Sequence, residues 1–310
     1  MNDSTFGIRT YRLEDFDRIT QFEAKVNAYE RTSISCSPHS LIETLGLPEH
    51  RPEENLFIVE KAGRIVGYMD VMPEKIINRA VLSCFLCRSN NEWNLFKSLV
   101  ERALIRAKSL RLTRVHVNIP RKKVRARSFF SEMGFCFIRL FIELKLDLSK
   151  AYLPDLSSIP FELRSLKTGE EEILTHIQNR SFMDTWGYNP STNEEIIYRT
   201  RLPHRSPGDI ILAYDKDKTI GYCWTRVFKG EGNSEADAVG RIYMLGVDPD
   251  HRGKGVGSAV LAGGISLLRQ RGVDIAKLTV DSENGAALAL YRAAGFELSK
   301  ASLWYEKVLD

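Results

Sequence analysis

The sequence predicts an α/β protein built as two tandem domains, and three observations carry that prediction. Its 310 residues suffice for two domains of roughly 150 residues, each with its own core. The two halves resemble one another at a period of roughly 155 residues, which marks a duplicated domain and not a solenoid. Within each half, β-rich runs alternate with helical stretches.

In chain order, residues 7–16 parallel 161–170, each a short strand leading into an acidic helix start. Residues 56–71 and 210–227 both read as two strands joined by a polar turn, at 61–64 and 215–218. The second strand of each pair carries Gly-Tyr, Gly67-Tyr68 and Gly221-Tyr222. Residues 80–86 form an apolar run that reads as a buried strand, and residues 128–135 parallel 289–296. Prolines and serines interrupt the pattern at 149–160, which is expected to be the linker between domains at 1–150 and 151–310.

Hydrophobic content of 43% and charged content of 27% fit a globular protein in water. No run approaches the roughly 18 apolar residues of a membrane span, and residues 1–10 lack the basic start and apolar run of a signal peptide. A cytoplasmic protein without a membrane partner is expected. Cys36, Cys84, Cys87, Cys136 and Cys223 are odd in number and scattered, so core thiols are expected in place of a disulfide framework. The six His show no metal-ligand spacing, and no metal is expected. A basic run at 121–127 has no interleaved aromatics and reads as a solvated face, so no nucleic-acid partner is expected; the oligomeric state stays open.

The densest chemistry lies at Leu245-Gly246-Val247-Asp248-Pro249-Asp250-His251-Arg252-Gly253-Lys254-Gly255-Val256-Gly257. An apolar strand runs through a glycine-rich loop into a helix over 256–270, whose first turn aims unpaired N–H groups and a positive dipole at an anion. A Walker loop would need Ser or Thr after Gly-Lys, where Gly255 stands, and the glycine spacing does not fit a Rossmann fingerprint.

Arg252-Gly253-Lys254-Gly255-Val256-Gly257, after a Val-x-Pro turn, resembles the acetyl-CoA signature of the GCN5-related N-acetyltransferases (GNAT). Asn284-Gly285-Ala286-Ala287-Leu288-Ala289-Leu290-Tyr291, ending in Gly295-Phe296, resembles that family's second signature. The resemblance implies two GNAT-like domains, each a mixed, mostly antiparallel sheet with splayed parallel central strands flanked by helices. It implies that backbone groups of Leu245 and Val247 hold the pantetheine arm of acetyl-CoA. Arg252, Gly253, Lys254, Gly255, Val256, Gly257 and Ser258 would cradle the pyrophosphate, with Asn284 and Tyr291 also at the cofactor.

By the same resemblance an amine attacks the thioester directly, the Leu245 N–H steadies the oxyanion and Tyr291 protonates the departing thiolate. Many members carry a catalytic Glu where this chain has Arg241. Glu235 and Asp237 are candidate bases, with a water chain preferred. The acceptor pocket is expected to draw on Asp184, Trp186, Tyr222, Trp224 and Arg226, an arrangement similar to the mycothiol synthase family of tandem-domain enzymes. In the N-terminal half, residues 90–95 replace the cradle without a glycine, and Phe130 stands at the place of Tyr291. That half is expected to keep the fold without the cofactor and to wall the acceptor cleft. The expected function is transfer of acetyl from acetyl-CoA to a primary amine of a small polar molecule, with a non-catalytic acyl-CoA sensor as the alternative.

Overall fold

The computed structural model describes residues 6–26, 33–36, 41–87, 92–203, 205–228 and 238–310. The chain forms two compact units, one of residues 1–139 with 302–310 and a second of residues 140–301. The first contains β1 (Phe6–Thr10), α1 (Phe16–Val26), β2 (Ser33–Cys36), α2 (Ile42–Leu45), α3 (Pro52–Asn55), β3 (Leu56–Lys61), β4 (Arg64–Glu74), β5 (Arg79–Cys87), α4 (Glu92–Ser109), β6 (Arg114–Pro120) and α5 (Val124–Glu132). Most of β7 (Cys136–Asp147) belongs to the second unit, followed by β8 (Glu162–Ser165), α6 (Glu171–Phe182), α7 (Asn193–Thr200), β9 (Ile210–Asp215), β10 (Lys218–Phe228), β11 (Val239–Val247), α8 (Val256–Gln270), β12 (Ile275–Asp281) and α9 (Gly285–Ala293). Residues 302–308 of the last strand, β13 (Glu297–Val308), return to the first unit.

In the first unit, β1, β3, β4 and β5 pair antiparallel in that order, and β5 pairs parallel to β6 only from Arg79↔Arg114 to Leu82↔Val117. Beyond that point β2 takes the edge of β5, with Ser33 opposite Cys87 and Cys36 opposite Cys84. The far edge of β6 is completed by Ser302–Val308 of β13. One face of this sheet packs Leu82, Phe96, Val117, Phe130, Phe135 and Tyr305 into a core, and the other packs Ile19, Phe22, Tyr68 and Phe85.

The second unit repeats the plan. β8, β9, β10 and β11 pair antiparallel, and β11 pairs parallel to β12. Here the far edge of β12 is covered by Phe141–Asp147 of β7. The α8 face holds Cys223, Val256, Val260, Leu278, Tyr291 and Phe296, and the α6 face holds Ile177, Tyr222, Trp224 and, partly buried, Tyr243.

The units therefore divide within β7 and again within β13, and not at 149–160. Residues in that stretch pack on the second unit instead: the Tyr152 N–H donates to the Ala294 carbonyl at 3.2 Å, and Ala151 and Leu153 lie against its core. Local composition marks where proline and serine interrupt a pattern. It carries no sign of a strand whose partner lies over a hundred residues away. The cysteines differ in one respect from expectation: Cys84 is fully buried and disulfide-bonded, while Cys136 and Cys223 are free.

Candidate active site

The site begins where two parallel strands part. β11 and β12 are paired only at Val239↔Ile275, Gly240↔Ala276 and Arg241↔Lys277, so β11 beyond Arg241 and β12 beyond Lys277 present unpaired edges to one another. On its other edge β11 pairs with β10, and the Asp248 N–H donates to the Ile220 carbonyl at 2.9 Å. Backbone direction alternates along a strand, so Gly246, opposite Tyr222, also faces β10. The N–H and C=O groups of Leu245 and Val247 consequently face the opening.

At the end of β11 the chain turns through residues 249–251 and enters α8. Gly253 and Gly255 have φ of +73° and +84°, the left-handed region that side-chain-bearing residues avoid, and a Cβ at either would meet nothing within 4 Å. The loop is thus shaped by glycine and open above. Gly255 is the N-cap and offers no side-chain cap, which leaves the first-turn N–H groups of Val256, Gly257 and Ser258 without intrahelical acceptors. Gly257 serves differently: a Cβ there would press on Leu290 at 3.3 Å.

The cations of this loop are engaged sideways. Arg252 Nη2 donates to the Ser181 carbonyl at 2.8 Å and Lys254 Nζ to the Asp250 carbonyl at 2.9 Å. Asp248 fastens the same turn to α6. Its carboxylate accepts from Arg180 Nε at 2.6 Å, and Arg180 Nη2 reaches Asp250 at 2.5 Å. Burial alone would raise the Asp248 carboxyl, but Arg180, the Asp250 N–H and His251 hold it well below the usual carboxylate range. Close approach matters beside it, since a Cβ on Gly246 would lie 2.7 Å from both Ser181 Cβ and the Tyr222 ring.

Tyr291 sits on α9 with its ring 5.8 Å from Phe296. Burial pushes its phenol well above the ordinary value, so it holds its proton at neutral pH. Asn284 acts as the helix cap, accepting from the Ala287 N–H at 3.0 Å.

The residues named for the acceptor are less uniform. Tyr222, Trp224 and Arg226 are 0%, 1% and 2% exposed, so they form the interior beneath α6 and α7 and not an accessible lining. The Tyr222 hydroxyl donates to Gln178 Oε1 at 3.1 Å, and Arg226 stacks on the Tyr243 ring, 3.1 Å from its centre. An alternating Tyr-x-Trp-x-Arg strand gives no sign of whether a helix covers its face. Asp184 is exposed, and Trp186, half-buried, lies 6.1 Å from Phe141 of β7. Glu235 and Asp237 lie outside the described residues.

Sequence reasoning missed one carboxylate. Arg241 extends across the parting strands to donate to Thr279 Oγ1 at 2.7 Å, and Thr279 stands opposite Glu143 on β7. Nothing local ties Glu143 to this site; only the pairing of β7 with β12 brings it there. Among the described residues no three His, Cys, Asp or Glu are grouped to hold a metal, and no helix is long and apolar enough to cross a membrane.

Residues 172–296 match the model of the acetyltransferase (GNAT) family. A mycothiol acetyltransferase of Kocuria rhizophila is 33% identical over 179 residues, 56% of this chain and 58% of that protein. One of Thermobifida fusca is 34% identical over 151 residues, 47% of each. The chain thus spans about half the length of these curated relatives. Among solved structures, a GCN5-related N-acetyltransferase from Sphaerobacter thermophilus shares the fold with a TM-score of 0.68 at 20% identity, covering 98% of this chain and 95% of that one. A tandem GNAT protein from the clavulanic acid biosynthesis pathway does so at 0.70 and 15%, covering 98% of each.

Proposed function

Residues 172–296 belong to the acetyltransferase (GNAT) family, and from that premise we propose that the second unit transfers an acetyl group from acetyl-CoA to the primary amine of a small polar acceptor. The observation that carries this reading is the open edge of β11 leading directly into the glycine loop at the start of α8. A pantetheine arm carries amides that pair with strand-like backbone groups, and a pyrophosphate suits unpaired N–H groups at a helix start. The mycothiol acetyltransferase relatives make a small-molecule acceptor the natural class.

In this reading the amine nitrogen attacks the thioester carbonyl carbon, the Leu245 N–H holds the developing oxyanion, and the carbon–sulfur bond then breaks. Tyr291 supplies the proton to the departing sulfur. An oxyanion donor of this kind lowers the barrier by roughly 3 kcal/mol. Calorimetry with acetyl-CoA, followed by release of free coenzyme A thiol with a panel of primary amines, tests the proposal. Arg241 at the usual position of a glutamate favours a second reading, a module that binds acyl-CoA without turnover. Binding without thiol release for any amine would select it.

A further inference from the structure

The acyl transfer proposed above needs an acceptor for the amine proton, and we propose that Glu143 of β7 is that base; the inference rests on the acetyltransferase reading of the second unit. Ile142 and Leu144 face the α8 core, so Glu143 between them faces the α6 side of the sheet. Leu278 and Val280 alternate with Thr279 in the same way. Glu143, Thr279 and Arg241 therefore share one face at the point where β11 and β12 part. Trp186, from the segment after α6, meets Phe141 on this face, their ring centres 6.1 Å apart. The segment that carries Trp186 thus packs two residues along β7 from Glu143.

Glu143 is half-buried, and its Oε1 is buried with no hydrogen-bond partner among the described residues. A buried carboxylate oxygen without a donor is costly, and such groups are nearly always satisfied. One water, bound in turn to an incoming amine, is the donor that fits. Arg241 has left the usual base position without a carboxylate, and its guanidinium is committed to Thr279.

Acid and base then work from opposite faces. Tyr291 lies in the α8 core and Glu143 on the α6 face, so the proton leaves nitrogen on one side of the opening and reaches sulfur from the other. As the carbon–nitrogen bond forms, the nitrogen becomes acidic and its proton passes to the Glu143 carboxylate through one water. Tyr291 gives its proton to the thiolate as the carbon–sulfur bond breaks, and solvent returns both groups to their starting states. The products are an amide and free coenzyme A. Other charged or titratable groups on the face of the sheet that carries Glu143 are Arg241 and Tyr243 on β11, Lys277 and Asp281 on β12, and Lys145 and Asp147 on β7 itself. The neighbouring β13 carries Glu297 and Lys300 in its second-unit residues.

The test uses the full chain with acetyl-CoA and the amine that best releases coenzyme A. Glu143→Gln is expected to lower kcat by about a hundredfold or more and to remove the acidic limb of the kcat/KM profile. Acetyl-CoA affinity is expected to stay unchanged, and the melting temperature is expected not to fall, since the variant removes a costly buried charge. Glu143→Asp should retain the acidic limb at a reduced rate. Wild-type chain that binds acetyl-CoA but releases no thiol overturns the acetyltransferase reading and this inference together. Wild-type turnover with a Glu143→Gln variant of equal rate and unchanged acidic limb overturns the role of Glu143 alone. A rate loss that Gln and Asp share, with the pH profile intact in both, assigns Glu143 a structural role and overturns it equally.

Discussion

Tyr291 and Phe130 occupy one position of the internal repeat and differ by a single hydroxyl. In the second unit the Phe296 N–H donates to the Tyr291 carbonyl at 3.0 Å around Gly295 at φ +96°; in the first, Phe135 donates to Phe130 at 2.9 Å around Gly134 at φ +82°. The backbone of the loop is therefore duplicated and only the side-chain chemistry has diverged. Tyr291→Phe is expected to leave acetyl-CoA affinity nearly unchanged while kcat falls by roughly a hundredfold, the usual worth of a general acid. Calorimetry and thiol release on one preparation check both halves of that statement. Gly255→Asp is expected to act the other way and abolish binding. It forces a side chain into the left-handed region and sets a negative charge where a pyrophosphate would lie. Retained affinity in that variant would remove the loop from the cofactor site.

At the scale of strands and helices, the first unit carries a buried polar row that makes its own prediction. Arg79 on β5 reaches Glu74 on β4 and His116 on β6, and the other ring nitrogen of His116 meets Glu306 of β13 at 2.8 Å. Burial, with Arg79 nearby, lowers the His116 ring to about 4, against the pull of Glu306. An unfolded histidine titrates near 6.5, so between those two values the unfolded chain binds the extra proton. The contribution of this group is complete above about pH 6.5 and is lost as pH falls toward 4. His116→Gln, which cannot take up that proton, is expected to flatten the fall in melting temperature over this range; an equally steep fall would assign it elsewhere. Elements of this kind divide sharply in how legible they are. The β9–β10 hairpin, the glycine loop before α8 and the Tyr291 helix could be read because their determinants are local: a turn, positive φ and a cap. The covering of Tyr222, Trp224 and Arg226 by α6, and the arrival of Glu143 beside Thr279, could not, since each depends on a partner far away in sequence.

For the molecule as a whole, the decisive feature is that each unit closes its sheet with a strand from the other end of its own sequence range. In the first unit the edge of β5 beyond Leu82 is already paired to β2, while the matching edge of β11 in the second unit stands open. One acetyl-CoA per chain is therefore expected, and two sites of similar affinity by calorimetry would refute it. This closure also fixes where the chain can be cut. A fragment of residues 161–310, divided at the proline- and serine-rich stretch, loses the seven paired positions from Phe141 to Asp147 and the buried Leu144, Leu146 and Leu148. At roughly 2 kcal/mol for each buried leucine, that loss rivals the whole stability of a domain, and it bares β12 as an open edge. A fragment of residues 140–301 keeps the strand, the leucines and Glu143. The longer-tailed fragment 161–310 is expected to melt without cooperativity and to bind no coenzyme A, whereas 140–301 should melt in one transition and bind it. Cooperative melting and equal affinity in 161–310 would show that β7 is dispensable to the second unit, contrary to the pairing seen here.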